Sequence, residues 1–149
     1  MREIFVNLKR FDVPQKYGGL CPVEDPIRWI ESVIGETVDG GLGQIPAIAL
    51  TYLLPEGLVR AAIEKRATFP AEKTKHVRIG IQGLFREDVT AGRNFGAFTT
   101  NTPAAAAKSL GCEWALVGHS EERNDKLGII NQYDPGALND SVKMQRAVD

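Results

Sequence analysis

The sequence predicts an α/β fold built on a parallel sheet. Two observations carry the expectation. Short β-rich apolar runs alternate with amphipathic stretches of helical period four times along 149 residues. Each helical stretch also opens on a start signal of proline or a capping polar side chain, as helix initiation requires. Alternation of this kind joins parallel strands through right-handed βαβ units.

Taken in order, Ile4 to Leu8 forms the first strand before charge and proline interrupt it. Asp25 then caps a helix with Pro26 at its first position, and Ile27, Ile30, Val33 and Ile34 recur at helical spacing over about 26–38. Gly40-Gly41-Leu42-Gly43 ends it. Ile45 to Thr51 follows as a second strand with Pro46 at its start. Pro55 opens a second helix with Leu58, Val59, Ala62 and Ile63 on one face. Val77 to Gln82 is a third strand. Thr102-Pro103 starts a third helix across Ala104 to Leu110, stopped by Gly111. Trp114 to Val117 is a fourth strand, with Cys112 and Trp114 expected in the core. Asn139-Asp140-Ser141 caps a fourth helix start.

Composition fits this class. Hydrophobic residues make up 43% and charged residues 25% of the chain, normal for a globular domain able to bury a core. Eighteen basic and nineteen acidic side chains give a net charge of -1, which disfavours a phosphate-backbone binder such as a nucleic-acid protein. No apolar run approaches the ~18 residues of a membrane span. Cys21 and Cys112 are far apart without CxxC spacing, so zinc is not expected and a reducing compartment is. GxGxxG and Walker A sequences are missing, so nucleotide binding has no motif support.

A doubly wound sheet and a β/α barrel both fit the alternation, and in either the ligand sits at the carboxyl ends of the strands. Functional residues are therefore expected just after positions 8, 51, 82 and 118. Asn7 and Lys9 end the first strand on one face. A lysine there can neutralise a phosphate or an oxyanion, although taken alone Lys9 fits a solvated loop lysine better. Gly118-His119-Ser120-Glu121-Glu122-Arg123 ends the fourth strand. The histidine suits hydrogen bonding to a carbonyl, and the segment suits a helix cap equally well. Gln82 ends the third strand, as a hydrogen-bonding partner in the site or as packing. His76 falls at the amino-terminal side and is expected at the surface, with Arg93 and the remaining scattered charges solvated.

Three segments together resemble triosephosphate isomerase: Asn7-x-Lys9, Gly96-Ala97-Phe98-Thr99, and Gly111-Cys112-Glu113-Trp114-Ala115-Leu116-Val117-Gly118-His119-Ser120-Glu121. The likeness is best over 94–123, clear at 4–9 and weak from 10 to 90. It implies a parallel β/α barrel, with residues 1–149 supplying about the first four βα units as one partial domain. It also implies a cytoplasmic glycolytic and gluconeogenic isomerase interconverting dihydroxyacetone phosphate and D-glyceraldehyde 3-phosphate. The family is itself the standard worked case of paired acid–base tuning and lid closure. On this resemblance Lys9 stabilises the enediolate, Asn7 holds substrate and lysine, a neutral His119 polarises the carbonyl, and Glu121 stands near the lysine. No metal or organic cofactor is implied. Phe98 and Thr99 belong to a loop that enters a neighbouring subunit, so a homodimer is implied.

The sequence departs from the family pattern at Thr100-Asn101 and at Glu122, where the family has Gly-Glu and arginine, so their ion pair is not expected. Residues 124–138 read as a long Asn-, Asp- and Gly-rich connection. The family's general-base glutamate follows a sixth strand, and a full barrel needs ~250 residues. The chain is thus expected to be the N-terminal portion of a longer enzyme. The alternatives are an isomerase of another short sugar phosphate, such as a tetrulose phosphate, and an inactive half-barrel assembly module.

Overall fold

The structure is a computed structural model that describes residues 1–94, 96, 99 and 101–136. It falls into two compact units, Met1–Leu116 and Val117–Asp149, taken here each by itself.

In the first unit, four strands form one parallel sheet: β1 (Arg2–Asn7), β2 (Ile48–Leu54), β3 (Val77–Ile81) and β4 (Trp114–Ala115). Their spatial order is their sequence order. A doubly wound sheet reverses direction at a switch point; here each new strand adds on the same side. These are the first units of a β/α barrel. The ring contact between Phe5 and Trp114, 5.2 Å apart and edge to face, shows that the sheet curls. In a flat sheet β1 and β4 would lie about 14 Å apart.

Helix α1 (Pro26–Asp39) begins where Asp25 Oδ1 accepts the backbone N–H groups of Ile27 and Arg28 at 3.0 and 3.2 Å, satisfying donors that a helix N-terminus leaves orphaned. Helix α2 (Glu56–Ala67) follows Pro55, and the single turn α3 (Ala71–Thr74) leads into β3. Helix α4 (Ala104–Leu110) ends at Gly111, whose φ of +102° is the left-handed stop that glycine adopts without cost. Its N-terminus is capped from a distance, Asp88 Oδ1 accepting the N–H of Ala105 at 3.0 Å.

Strand parity sorts the side chains. Tyr52, Leu54, Val77, Ile79 and Ile81 face the helices and pack on Ile30, Ile34 and Val38 of α1 and Leu58, Val59 and Ala62 of α2. A buried polar contact within this layer is satisfied, Thr37 Oγ1 donating to the Val33 carbonyl and accepting from Tyr52 OH, both at 2.7 Å. The opposite parity lines the concave face: Phe5, Asn7, Thr51, Leu53, Arg78, Gly80 and Trp114.

Several sequence expectations shift. The second strand begins at Ile48 rather than Ile45, because Leu42–Gln44 forms a 3-10 turn and Ile45 closes it. Its carboxyl end is therefore Leu54, and the strand mouth lies at Pro55 rather than after 51. The fourth strand is two residues long, and Trp114 is 39% exposed on the concave face instead of sitting in the core. His76 is buried, its N–H donating to the Gly43 carbonyl and its carbonyl accepting from Leu50 N–H. Four of the scattered charges are paired, the two arginines half-buried and the two glutamates exposed: Arg78 reaches Glu3 at 2.8 Å and Glu113 at 3.8 Å, and Arg66 reaches Glu113 at 2.7 Å.

In the second unit, helix α5 (Ser120–Tyr133) starts at the expected cap and continues through residues 124–133, expected as part of a connection. A Glu122–Lys126 ion pair of 3.0 Å spans one turn, and Pro135 stops the helix after Asp134. The helix start expected at Asn139–Ser141 lies outside the described residues. None of the helices among the described residues is long and apolar enough to cross a membrane.

Candidate active site at the strand mouth

At the carboxyl ends of β1 and β3 the structure brings together Asn7, Lys9 and Gln82. Asn7 Oδ1 accepts the backbone N–H of Lys9 at 2.9 Å, the local turn that a short amide side chain makes with its own backbone. Gln82 Nε2 donates to Asn7 Oδ1 at 2.9 Å, to the Lys9 carbonyl at 2.9 Å and to the Leu53 carbonyl at 3.2 Å. Lys9 itself has a φ of +36°, the left-handed region, and is exposed. The arrangement turns the oxygen of Asn7 inward and leaves its Nδ2 donors without an acceptor among the described residues, available to an anionic ligand oxygen.

In the second unit, His119 is the N-cap of α5. Its Nδ1 accepts the backbone N–H of Glu121 at 3.3 Å. The Glu121 carboxylate stands 3.7 Å from the same nitrogen, a contact that would be an ion pair only with a protonated ring. With the backbone N–H aimed at the Nδ1 lone pair, the neutral form of the ring is the tautomer with its proton on Nε2. Nε2 is then a hydrogen-bond donor, as polarising a carbonyl demands.

Asn7 and Lys9 thus meet in one unit and His119 and Glu121 in the other. Thr99 is exposed, and Phe98 lies outside the described residues. In the sequence Gln82 stands at a strand end with no partner evident. The signal was its parity, because Asn7, Leu53 and Gly80 are register partners and a residue two beyond Gly80 returns to the same face.

A cleft of about 420 Å³ lies at the other, amino-terminal end of the strands, lined by Arg66, Phe69, Thr74, Lys75, Arg78 and Glu113. Both arginines there are engaged by Glu113, and ligands of parallel α/β sheets bind at the opposite end. The mouth at Asn7, Lys9 and Gln82 is therefore the candidate site.

The model of one protein family, described as Triosephosphate isomerase, matches residues 58–132, half of the chain. The chain belongs to the triosephosphate isomerase family. The match takes in Gln82, Thr99, His119 and Glu121, whereas Asn7 and Lys9 precede it. The triosephosphate isomerase of Streptococcus gordonii is 29% identical over 72 residues, which cover 48% of this chain and 26% of that protein. The chain therefore spans only part of the length of this curated relative.

Proposed function

We propose that the protein is an aldose–ketose isomerase that interconverts dihydroxyacetone phosphate and D-glyceraldehyde 3-phosphate through an enediolate. Membership of an isomerase family supports the class of reaction. The observation that carries the finer reading is the pair of opposite electrostatic offers, a lysine held at a strand mouth beside free amide donors, and a histidine whose neutral tautomer donates from Nε2.

In this mechanism a base removes a proton from the carbon between the hydroxyl and carbonyl groups, and the electron pair moves onto the carbonyl oxygen. His119 Nε2–H hydrogen-bonds that oxygen and Lys9 offsets the negative charge as it grows. The proton returns to the adjacent carbon, while the hydroxyl proton of the first carbon passes to the former carbonyl oxygen, so that carbonyl and hydroxyl exchange places. Asn7 Nδ2 orients the substrate, and the Glu121 carboxylate adds negative charge beside His119. None of the glutamates described here is assigned as the carbon base. The protein acts as a homodimer in which the loop at Phe98 and Thr99 enters the neighbouring subunit.

The experiment is turnover of three- and four-carbon ketose phosphates by the native-length protein, wild type and His119→Gln. The reading expects preference for the three-carbon substrate and a loss of ~10²–10⁴-fold in the variant. A preference for the four-carbon substrate would move the assignment to a tetrulose phosphate, and undiminished turnover in His119→Gln would sink it.

A further inference from the structure

We infer that Gln82 is a positioning residue for Lys9: its side-chain amide holds residue 9 in the left-handed backbone conformation that sets where the lysine ammonium is delivered. The inference takes the importance of Lys9 from the function proposed above, while its main test needs no turnover.

Among the described residues, Lys9 is the non-glycine residue with positive φ. A lysine adopts that region only where its surroundings over-determine it. Here they do so from both sides. The Lys9 carbonyl accepts from Gln82 Nε2, and the Lys9 N–H donates to Asn7 Oδ1, each at 2.9 Å. The second contact also depends on Gln82, because the same Nε2 donates to Asn7 Oδ1 and so fixes which way the Asn7 amide is turned. One NH₂ group therefore clamps residue 9 directly at its carbonyl and indirectly at its amide. Gln82 can do this because β3 is held in register beside β2, where Gln82 N–H donates to the Leu54 carbonyl at 3.0 Å. The amide is thus carried by the residue that directly follows a paired strand and is itself tied to β2 through its backbone, a firm base for precise placement.

A merely structural Gln82 would stitch β1 to β3 and destabilise both equally when removed. A positioning Gln82 acts on residue 9 in particular. Amide hydrogen exchange of the 149-residue protein separates the two. In Gln82→Met, which keeps the length and removes both donors, the protection factor of the Lys9 amide should fall at least tenfold while those of Leu54 and Ile79 hold. Adding Lys9→Gly, which accepts positive φ freely, should restore protection at residue 9. Unchanged protection in Gln82→Met, an equal loss across Leu54 and Ile79, or no rescue by Lys9→Gly would each overturn the inference.

Gln82→Glu serves as a second variant should the methionine protein fail to fold. It should expose the Lys9 amide to the same degree and shift the Asn7 side-chain amide resonances as that group turns over; unmoved resonances count against the clamp. In the isomerase assay, Gln82→Met should lower turnover tenfold or more in the wild-type background and less than twofold in Lys9→Met. If Lys9→Met alone changes nothing, the isomerase reading fails, and the exchange experiment still judges the clamp.

Discussion

The backbone N–H of Glu121 is aimed at Nδ1 of His119, 3.3 Å away, at the first turn of α5. A ring nitrogen that accepts a hydrogen bond carries no proton, so the neutral imidazole is the Nε2–H tautomer. Long-range proton–nitrogen correlation spectra of the neutral protein should identify Nδ1 as the unprotonated nitrogen. An Nδ1–H tautomer would remove the donor that the proposed chemistry needs.

Gly80 sits where β3 and β4 approach on the concave face. A Cβ there would lie 2.7 Å from the Trp114 carbonyl oxygen and 2.9 Å from Leu53 Cδ2, and the first of these is backbone that cannot rotate away. Gly80→Ala should cost about 1–3 kcal/mol of unfolding free energy, the usual penalty of overpacking. Denaturant unfolding measures it, and a neutral substitution would mean that β4 is not seated as described.

Thr51 is fully buried on the same face, and its Oγ1 has no hydrogen-bond partner. An orphaned hydroxyl costs free energy that a methyl group of similar shape does not. Thr51→Val should therefore leave stability unchanged or raise it by up to about 1–3 kcal/mol. A clear loss of stability in the same denaturant assay would reveal a partner for that hydroxyl.

Burial pushes the Cys112 thiol above its ordinary pKa. The thiolate is the reactive form, so alkylation of Cys112 should lag behind a free thiol and its rate should rise at higher pH than usual. The linkage runs the same way. The unfolded thiol ionises first, so this group's contribution to stability is present at neutral pH and is lost as pH rises from the unfolded value through the raised folded one. A Cys112→Ser variant should show a flatter loss of stability in that alkaline range. An alkylation profile coincident with that of a free thiol would contradict the burial effect.

The parts of the fold written in local chemistry were legible in the sequence. Asp25, as an acceptor of helix N–H groups ahead of Pro26, fixes the start of α1, and Pro103 and the left-handed stop at Gly111 bound α4, all within a few residues of the helix they delimit. What depended on distant partners was not legible. The start of β2 moved because Ile45 belongs to a turn. Trp114 reads as core from its apolar character, yet parity places it on the concave face against Phe5, and a two-residue strand gives too little period to show this. The Asp88 cap of α4 lies seventeen residues away along the chain. At the candidate site, Asn7, Lys9 and His119 stand out in the sequence because they end strands or begin a helix. The positive φ of Lys9 and its link to Gln82 join β1 to a position 73 residues away, which no local pattern encodes.

Turnover of dihydroxyacetone phosphate by the native-length protein and its Lys9→Met variant decides whether the strand-mouth lysine serves an isomerase. The expected outcome is isomerisation to D-glyceraldehyde 3-phosphate, reduced ~10²–10³-fold or more without the lysine charge, the scale of a lost transition-state electrostatic contact. Absent turnover in the native-length protein, or full activity in Lys9→Met, would contradict it.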